Sequence, residues 1–194
     1  MKKLILASQS PGRKEALEKA GFQFEISPSD FEEVMDENLS SEELVIQLSR
    51  GKARDVASKI KEGIVIGADT VGVFEGKILG KPHTEEKNIE MLRELNGREH
   101  SIITGVTLID TDTGREISKA VETKIWFRNL SEEEIEEYVK TGEALKKAGG
   151  YAYQGRGREL VDHVEGSETN IIGMPIEDLK EMLKNFEEAK FKKL

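Results

Sequence analysis

The chain lacks cysteine and is poor in proline, in aromatic residues and in long apolar runs. Without cysteine, disulfides, thiolate metal sites and cysteine nucleophiles are excluded. Its 29 Lys and Arg against 38 Asp and Glu give a formal net charge of −9, which argues against general nucleic-acid binding. No apolar run reaches membrane-spanning length, and the stretch after Met1-Lys2-Lys3 is too short for a signal peptide. We therefore expect a soluble cytoplasmic protein with no nucleic-acid or membrane partner.

Apolar runs and capping signals alternate along the 194 residues. They predict strands at Lys3–Ala7, Phe22–Ile26, within Ile64–Pro82, at Glu99–Asp110 and Glu116–Phe127, and a last hairpin that pairs Arg158–Val164 with Asn170–Gly173. They predict helices from Ser10 to Ala20, Ser40 to Ile60, Thr84 to Leu95, Ser131 to Gly142 and Pro175 to Phe186, with a frayed tail over 187–194. The mixture favours the α/β class, with a mixed, largely antiparallel, twisted sheet flanked by helices.

The stretch Ile64–Pro82 organises the rest of the chain. Its first apolar run ends at Gly67-Ala68 and leads to a single carboxylate, Asp69, which we expect at the end of a buried strand. Aspartate is disfavoured in strands and costly to bury without a partner. With Lys81 on the returning strand, Asp69 suits a metal-assisted or phosphate-handling site. The alternative is an aspartate that caps a turn, with Lys81 merely solvated.

Two further positions favour an anionic ligand. Ser10 as N-cap and Pro11 at the first helical position predict a helix N-terminus directly after a buried strand, which is a ready anion site. Lys52 falls on the apolar stripe of the second helix, where it either extends outward or reaches a buried anion. Gly51 beside it indicates close packing at that point of the helix.

Other chemistry-bearing segments are less specific. The acidic loop Ser29–Asn38 is of a kind that is usually solvated, although one or two of its carboxylates could bind a metal. Lys146–Gly157 is too rich in glycine for a helix and resembles a loop whose backbone passes close to a ligand. The three histidines, His83, His100 and His163, lack metal-ligand spacing.

Four segments together resemble the Maf family of septum-formation-related nucleoside triphosphate pyrophosphatases. They read LASQSPGRKEAL, IGADTV with ILGKP, MLRELNGREHSIITGV, and AGGYAYQGRG followed by GSETNIIGMP. The resemblance spans nearly the whole chain in the family's order. It implies a single inosine-triphosphatase-like domain over 1–194, with two lobes around a central cleft, and a homodimer.

The resemblance also implies an activity: hydrolysis of a nucleoside triphosphate between its α- and β-phosphates with Mg²⁺ or Mn²⁺. It makes Asp69 the general base, with Glu33, Lys52 and Lys81 as the other catalytic residues and Glu33 and Asp69 as metal ligands. The substrate-binding residues that it implies are Ser8, Ser10, Arg13, Thr70, Gln154 and the specificity position Gly12.

Tyr151-Ala-Tyr-Gln154-Gly155 resembles the branch of the family that acts on dTTP and UTP, and modified pyrimidine triphosphates fit the same expectation. Two positions depart from the family: Gly12 replaces an arginine and Lys146 replaces an aspartate. The resulting hypothesis is an enzyme that removes particular nucleotides from the cellular pool. The alternatives are a nucleotide-binding regulator of cell division and a purine-directed pyrophosphatase of inosine-triphosphatase type.

Overall fold

The computed structural model describes residues 2–145 and 147–191, with side chains up to residue 186. The departure at Lys146 and the end of the tail, 192–194, lie outside these residues. The strands are β1 (Leu4–Leu6), β2 (Phe24–Ile26), β3 (Ile64–Phe74), β4 (Lys77–Leu79), β5 (Glu99–Asp110), β6 (Glu116–Phe127) and β7 (Val161–Glu165). The α-helices are α1 (Pro11–Lys19), α2 (Ser41–Ala57), α3 (Glu85–Leu95), α4 (Glu132–Val139), α5 (Glu168–Ile171) and α6 (Ile176–Phe191). Short 3₁₀ helices occupy Ala148–Gly150 and Arg156–Leu160.

Local capping explains where several helices begin. Ser10 caps α1 through a bond from the Arg13 amide to its hydroxyl. Ser40 with Glu43, and Ser131 with Glu134, form complete capping boxes at α2 and α4. The predicted starts are thus confirmed, whereas three predicted ends are wrong: α2 ends at Ala57 rather than Ile60, α4 ends at Val139 rather than Gly142, and α6 continues to Phe191 rather than Phe186.

The seven strands form a mixed sheet in the order β2-β1-β3-β5-β6-β7, and β4 pairs with β3. β1 pairs in parallel with β2 and with β3, whereas β4 is antiparallel to β3 and β7 is antiparallel to β6. The predicted fold class is confirmed. None of the helices in the described part of the chain is both long and apolar enough to span a membrane.

The predicted last hairpin is wrong. β7 pairs with β6, so that His163 lies opposite Trp126, and the segment after it is the short helix α5. Side-chain hydrogen bonds explain this outcome, because the Asn170 amide donates to the carbonyl of Ile102 and to the hydroxyl of Thr123, each at 3.0 Å. These bonds hold α5 to β5 and β6 and leave it without a partner strand.

Contacts divide the chain into two compact units. The first unit comprises the described residues of Met1–Thr70, Thr104–Val121 and Ile172–Leu194. β1 and the first residues of β3 are apolar on both faces because helices cover both. Leu6, Ile66 and neighbours pack with α1 and α6, while Ile5 and Val65 pack with α2.

The second unit comprises Val71–Ile103 and the described residues of Glu122–Ile171. Its core joins residues of α3 and α4 to aromatic side chains of the sheet and of the segment after α4. Within it His100 is buried, with its Nε2 2.8 Å from the Tyr151 hydroxyl, and Phe127 packs edge-to-face against both rings. This unit carries Lys81 and Gln154.

Candidate active site

The carboxyl end of β1 is a topological switch point. β1 leads through α1 to β2 on one side, and β2 leads through α2 to β3 on the other side of β1. Right-handed connections therefore place α1 and α2 on opposite faces of the sheet, as their separate cores show. Ligands of open α/β sheets bind outside the carboxyl ends of the strands at such a point.

Asp69 lies in the interior of β3 and not at its end, which corrects the prediction. β1 stops opposite Ile66, whereas β3 continues through Asp69 to Phe74. The β-branched residues after Asp69 sustain the strand. Because side chains alternate along a strand, Asp69 points to the face covered by α2, and Thr70 points to the face covered by α1.

A close approach of α2 brings its polar residues to Asp69. A Cβ built on Gly67 would lie only 2.3 Å from the carbonyl oxygen of Ser49 and 2.8 Å from the Ala53 Cβ. The helix therefore rests on the bare Cα of Gly67, two residues before Asp69 on the same face. A residue with a side chain at position 67 would therefore push α2 away from Asp69.

Lys52 binds two carboxylates from different segments. Its Nζ lies 2.6 Å from Asp69 Oδ1 and 2.6 Å from Glu33 Oε1. The Asp69 and Lys52 side chains are only 11% and 13% exposed, whereas Glu33 is 51% exposed. Of the two alternatives for Lys52, the one in which it reaches a buried anion is confirmed. The pairing also removes the cost of burying Asp69 alone.

Arg13 is held by three acceptors of the first unit. Its Nε donates to the carbonyl of Gly173 at 3.1 Å, Nη1 donates to the Ser8 hydroxyl at 3.1 Å, and Nη2 donates to the Thr70 hydroxyl at 3.3 Å. Burial lowers the pKa of Arg13, and attraction by Asp69 and Glu33 opposes that effect. Three of its five N–H donors are thus used within the described residues, which fixes the orientation of the guanidinium.

Sequence reasoning missed two partners of this arginine cluster. Thr104 is buried in β5, with its hydroxyl 2.9 Å from that of Thr70. Gly173 offers its carbonyl to Arg13 from a backbone with φ 95°. The sequence offers two signals for these residues: Thr104 is a polar residue inside an apolar strand, and Gly173 is a glycine just before Met174-Pro175. Neither signal indicates that the residue contacts the Arg13 cluster.

Glu33 and Asp69 are the carboxylates that could hold a metal ion. They converge on one ammonium, and no group of three or more His, Asp or Glu suited to a metal occurs among the residues described here. Mg²⁺ is typically bound by one or two carboxylates together with waters and substrate phosphates. The donor set fits an ion that shares its coordination with a bound phosphate group.

The remaining candidates are placed less specifically. Ser10 serves as the N-cap of α1, and Gly12 is the second residue of that helix. Lys81 and Gln154 are exposed residues of the second unit. In the glycine-rich segment, the close approaches shown are to the chain itself, since a Cβ on Gly150 would lie 2.3 Å from Asn88 Oδ1.

The sequence has extensive similarity to known proteins. It matches the family model described as Maf-like protein over residues 3–186. The dTTP/UTP pyrophosphatase of Methanosarcina mazei is 46% identical over 184 residues, which cover 94% of this chain and 93% of that protein. The protein of the same name from Carboxydothermus hydrogenoformans is also 46% identical, over 95% of this chain and 98% of its own. That of Clostridioides difficile is 43% identical over 94% of each chain. Because the family model matches residues 3–186 and these relatives are 43–46% identical over more than nine-tenths of the chain, the chain belongs to the Maf family.

Proposed function

We propose that this protein is a nucleoside triphosphate pyrophosphatase that hydrolyses dTTP and UTP to the monophosphate and pyrophosphate. The observation that carries the proposal is the convergence of Asp69, Lys52 and Glu33 at the switch point of a Maf-family chain. The similarity over more than nine-tenths of the chain to proteins named dTTP/UTP pyrophosphatase supports this choice of substrate.

Asp69 is the proposed proton acceptor. In the reaction, a water oxygen bonds to phosphorus while the α–β anhydride bond breaks, so the water must lose a proton. Asp69 is the least exposed carboxylate of the cluster, and its hydrogen bond with Lys52 fixes its position. A positioned base of this kind contributes about 10²–10⁴ to a rate.

Arg13 and Lys52 are the proposed phosphate-binding cations of the first unit. Arg13 is preorganised by three hydrogen bonds and retains two donors for phosphate oxygens. Lys52 places its Nζ between two carboxylates, 2.6 Å from an oxygen of each, and so brings a cation to the point where the metal and the phosphates have to bind. The N-terminus of α1 adds the positive end of a helix dipole, which favours an anion.

A divalent metal, Mg²⁺ or Mn²⁺, fits Glu33 and Asp69. When bound by these two carboxylates, such an ion would neutralise charge on the phosphates and would make a bound water more acidic. Asp69 has two candidate roles, that of the direct base and that of a metal ligand. The dependence of kcat on Mg²⁺ concentration in Asp69→Asn separates these two roles.

The roles of Lys81 and Gln154 rest on the family resemblance. We propose Lys81 as a further phosphate-binding cation and Gln154 as the residue that reads the pyrimidine edge. An amide carries one acceptor and one donor group, which matches N3–H and O4 of uracil or thymine. Gly12 is proposed as a position that widens the range of accepted bases, because it lacks the arginine usual in the family.

We also propose a homodimer that works in the cytoplasm, where nucleoside triphosphates are made and used. Light scattering on the eluting protein tests the oligomeric state, and fractionation of the source cells tests the location. A monomer across micromolar concentrations would contradict the first proposal.

Pyrophosphate release across a panel of nucleotides tests the function directly. The purified protein is assayed with dTTP, UTP, GTP, ATP, ITP and modified pyrimidine triphosphates, with Mg²⁺ and with Mn²⁺. We expect dTTP and UTP to have the highest kcat/KM and to yield monophosphate and pyrophosphate in equal amounts. Preference for ITP, release of orthophosphate alone, or tight binding without turnover would refute the proposal.

A further inference from the structure

The segment between β2 and α2 carries Glu33 into the site. Residues 27–40 contain no helix or strand. An irregular connection of more than about a dozen residues is uncommon and usually functional. Because no helix or strand holds this segment, the position of Glu33 depends on the contacts that attach the segment to α2.

The first attachment is a set of hydrogen bonds to the last turns of α2. Asp55 Oδ2 accepts bonds from the Ser29 hydroxyl at 2.9 Å and from the Asp30 amide at 2.8 Å. Lys59 pairs with both Asp30 and Asp55. The Phe31 amide in turn donates to the Ser29 hydroxyl at 3.0 Å, which leads the chain towards Gly51.

The second attachment is the ring of Phe31 on Gly51. A Cβ built on Gly51 would lie 2.3 Å from Cζ and 2.5 Å from Cε2 of that ring. The ring therefore occupies the space that any other side chain would fill. A glycine within a helix is less favourable than alanine, so its presence here has a packing reason.

We propose that Gly51 and Phe31 are positioning residues for Glu33. One turn of α2 offers both the bare Cα that receives Phe31 and, at the next residue, the Lys52 ammonium that binds Glu33. Glu33 follows Phe31 by two residues, and its side chain is half exposed. The ring contact thus sets where the carboxylate meets Lys52 and where it would meet a metal ion. This inference rests on the role proposed above for Glu33.

Gly51→Ala should lower activity without a matching loss of stability. Alanine favours the helix by an amount equivalent to about 2–4 °C in Tm, and the lost packing of the Phe31 ring on the helix opposes that gain, so Tm should change by no more than this. The added methyl group displaces the ring into the adjoining groove of about 800 Å³, which Phe31 and Gly51 help to line, so the variant should fold. Displacing Glu33 should lower kcat/KM about tenfold to a hundredfold and raise the half-saturating Mg²⁺ concentration.

Three matched variants separate positioning from general disturbance. Gln47 lines the same groove one turn earlier in α2, and Gln47→Ala should leave kcat/KM and the half-saturating Mg²⁺ concentration unchanged. Phe31→Leu should restore part of the activity of Gly51→Ala, because a smaller side chain fits over the methyl group. In a Glu33→Gln background, Gly51→Ala should cause no further loss. A full further loss there, or an unchanged kcat/KM in Gly51→Ala alone, would overturn the inference.

Hydrogen exchange tests the positioning role of Gly51 and Phe31 independently of the proposed pyrophosphatase activity. Amide hydrogen exchange over residues 31–38 should accelerate severalfold in Gly51→Ala and not in Gln47→Ala. Unchanged exchange in Gly51→Ala would refute the positioning role, even in a protein that released pyrophosphate. Faster exchange in a protein without pyrophosphatase activity would support the attachment and refute only the proposed function.

Discussion

Asp69→Asn tests the centre of the proposed mechanism, because it removes the charge of one carboxylate and leaves its shape. We expect kcat for dTTP to fall about 10²–10⁴-fold, since the variant loses its proton acceptor. Binding of a non-hydrolysable triphosphate should remain, because Arg13 and Lys52 are unchanged. Measuring kcat against Mg²⁺ concentration adds a second result: half-saturation shifts upward if Asp69 is a metal ligand and stays constant if it acts only as base.

The stability cost of Asp69→Asn can be bounded from its contacts. Removing one partner of a buried ion pair commonly costs about 3–5 kcal/mol, because the other charge is left alone. Here Lys52 keeps Glu33 at 2.6 Å, so the loss should be closer to that of a charged hydrogen bond, about 1.5–3 kcal/mol. Urea unfolding at pH 7.5 measures this difference.

Asp110→Asn is the matched control, because Asp110 is also buried in the first unit and also pairs with a lysine, Lys2. It should lose stability by a similar amount while kcat stays within twofold of wild type. The reasoning is refuted if Asp69→Asn retains more than half of the wild-type kcat, or if Asp110→Asn loses as much turnover as Asp69→Asn.

Three further outcomes are expected. A lysine at position 13 cannot make the three hydrogen bonds of the Arg13 guanidinium. Arg13→Lys should therefore weaken the binding of a non-hydrolysable triphosphate about tenfold to a hundredfold and leave the binding of the nucleoside unchanged. If Arg13→Lys and Lys81→Ala each weaken the binding of both ligands equally, these cations have a structural role only. Gln154→Glu should lower kcat/KM about tenfold to a hundredfold for dTTP and UTP but not for GTP, whereas a uniform decline would remove Gln154 from base choice. Burial lowers the pKa of His100 to about 4, so the folded state should lose up to about 3 kcal/mol as the pH falls from about 6.5 towards 4. Urea unfolding at pH 7.5 and 4.5 should show a smaller loss in His100→Gln than in wild type, and equal losses would exclude that cause.

The places where the sequence succeeds are those where the signal is local. Ser40 with Glu43 predicts the start of α2, because both halves of a capping box lie within one turn. The bounds of β5 and β6 are also correct, since a turn at Asp112–Gly114 joins two long strands that are adjacent in the chain. Asp69, Lys52 and Lys81 stand out from their local patterns, whereas the full set of candidate residues and their roles rests on the family resemblance.

The failures share a different cause. The sequence predicts a hairpin that pairs Arg158–Val164 with Asn170–Gly173. In the structure β7 pairs with β6, and Asn170 bonds to Ile102 and Thr123. Strand pairing depends on which edge is free, and a sequence pattern does not state that.

For this chain, the sequence by itself determined which residues carry charge into buried positions: Asp69 after two small residues in an apolar run, and Lys52 on an apolar stripe. Only the tertiary structure decided that these two residues meet, that Glu33 joins them, and that Arg13 is held by the carbonyl of Gly173, 160 positions away. The physical reason is that helix capping and side-chain periodicity act over a few neighbouring residues. The partner of a buried charge is chosen instead by the crossing of β1, α2 and β3, which no local pattern encodes.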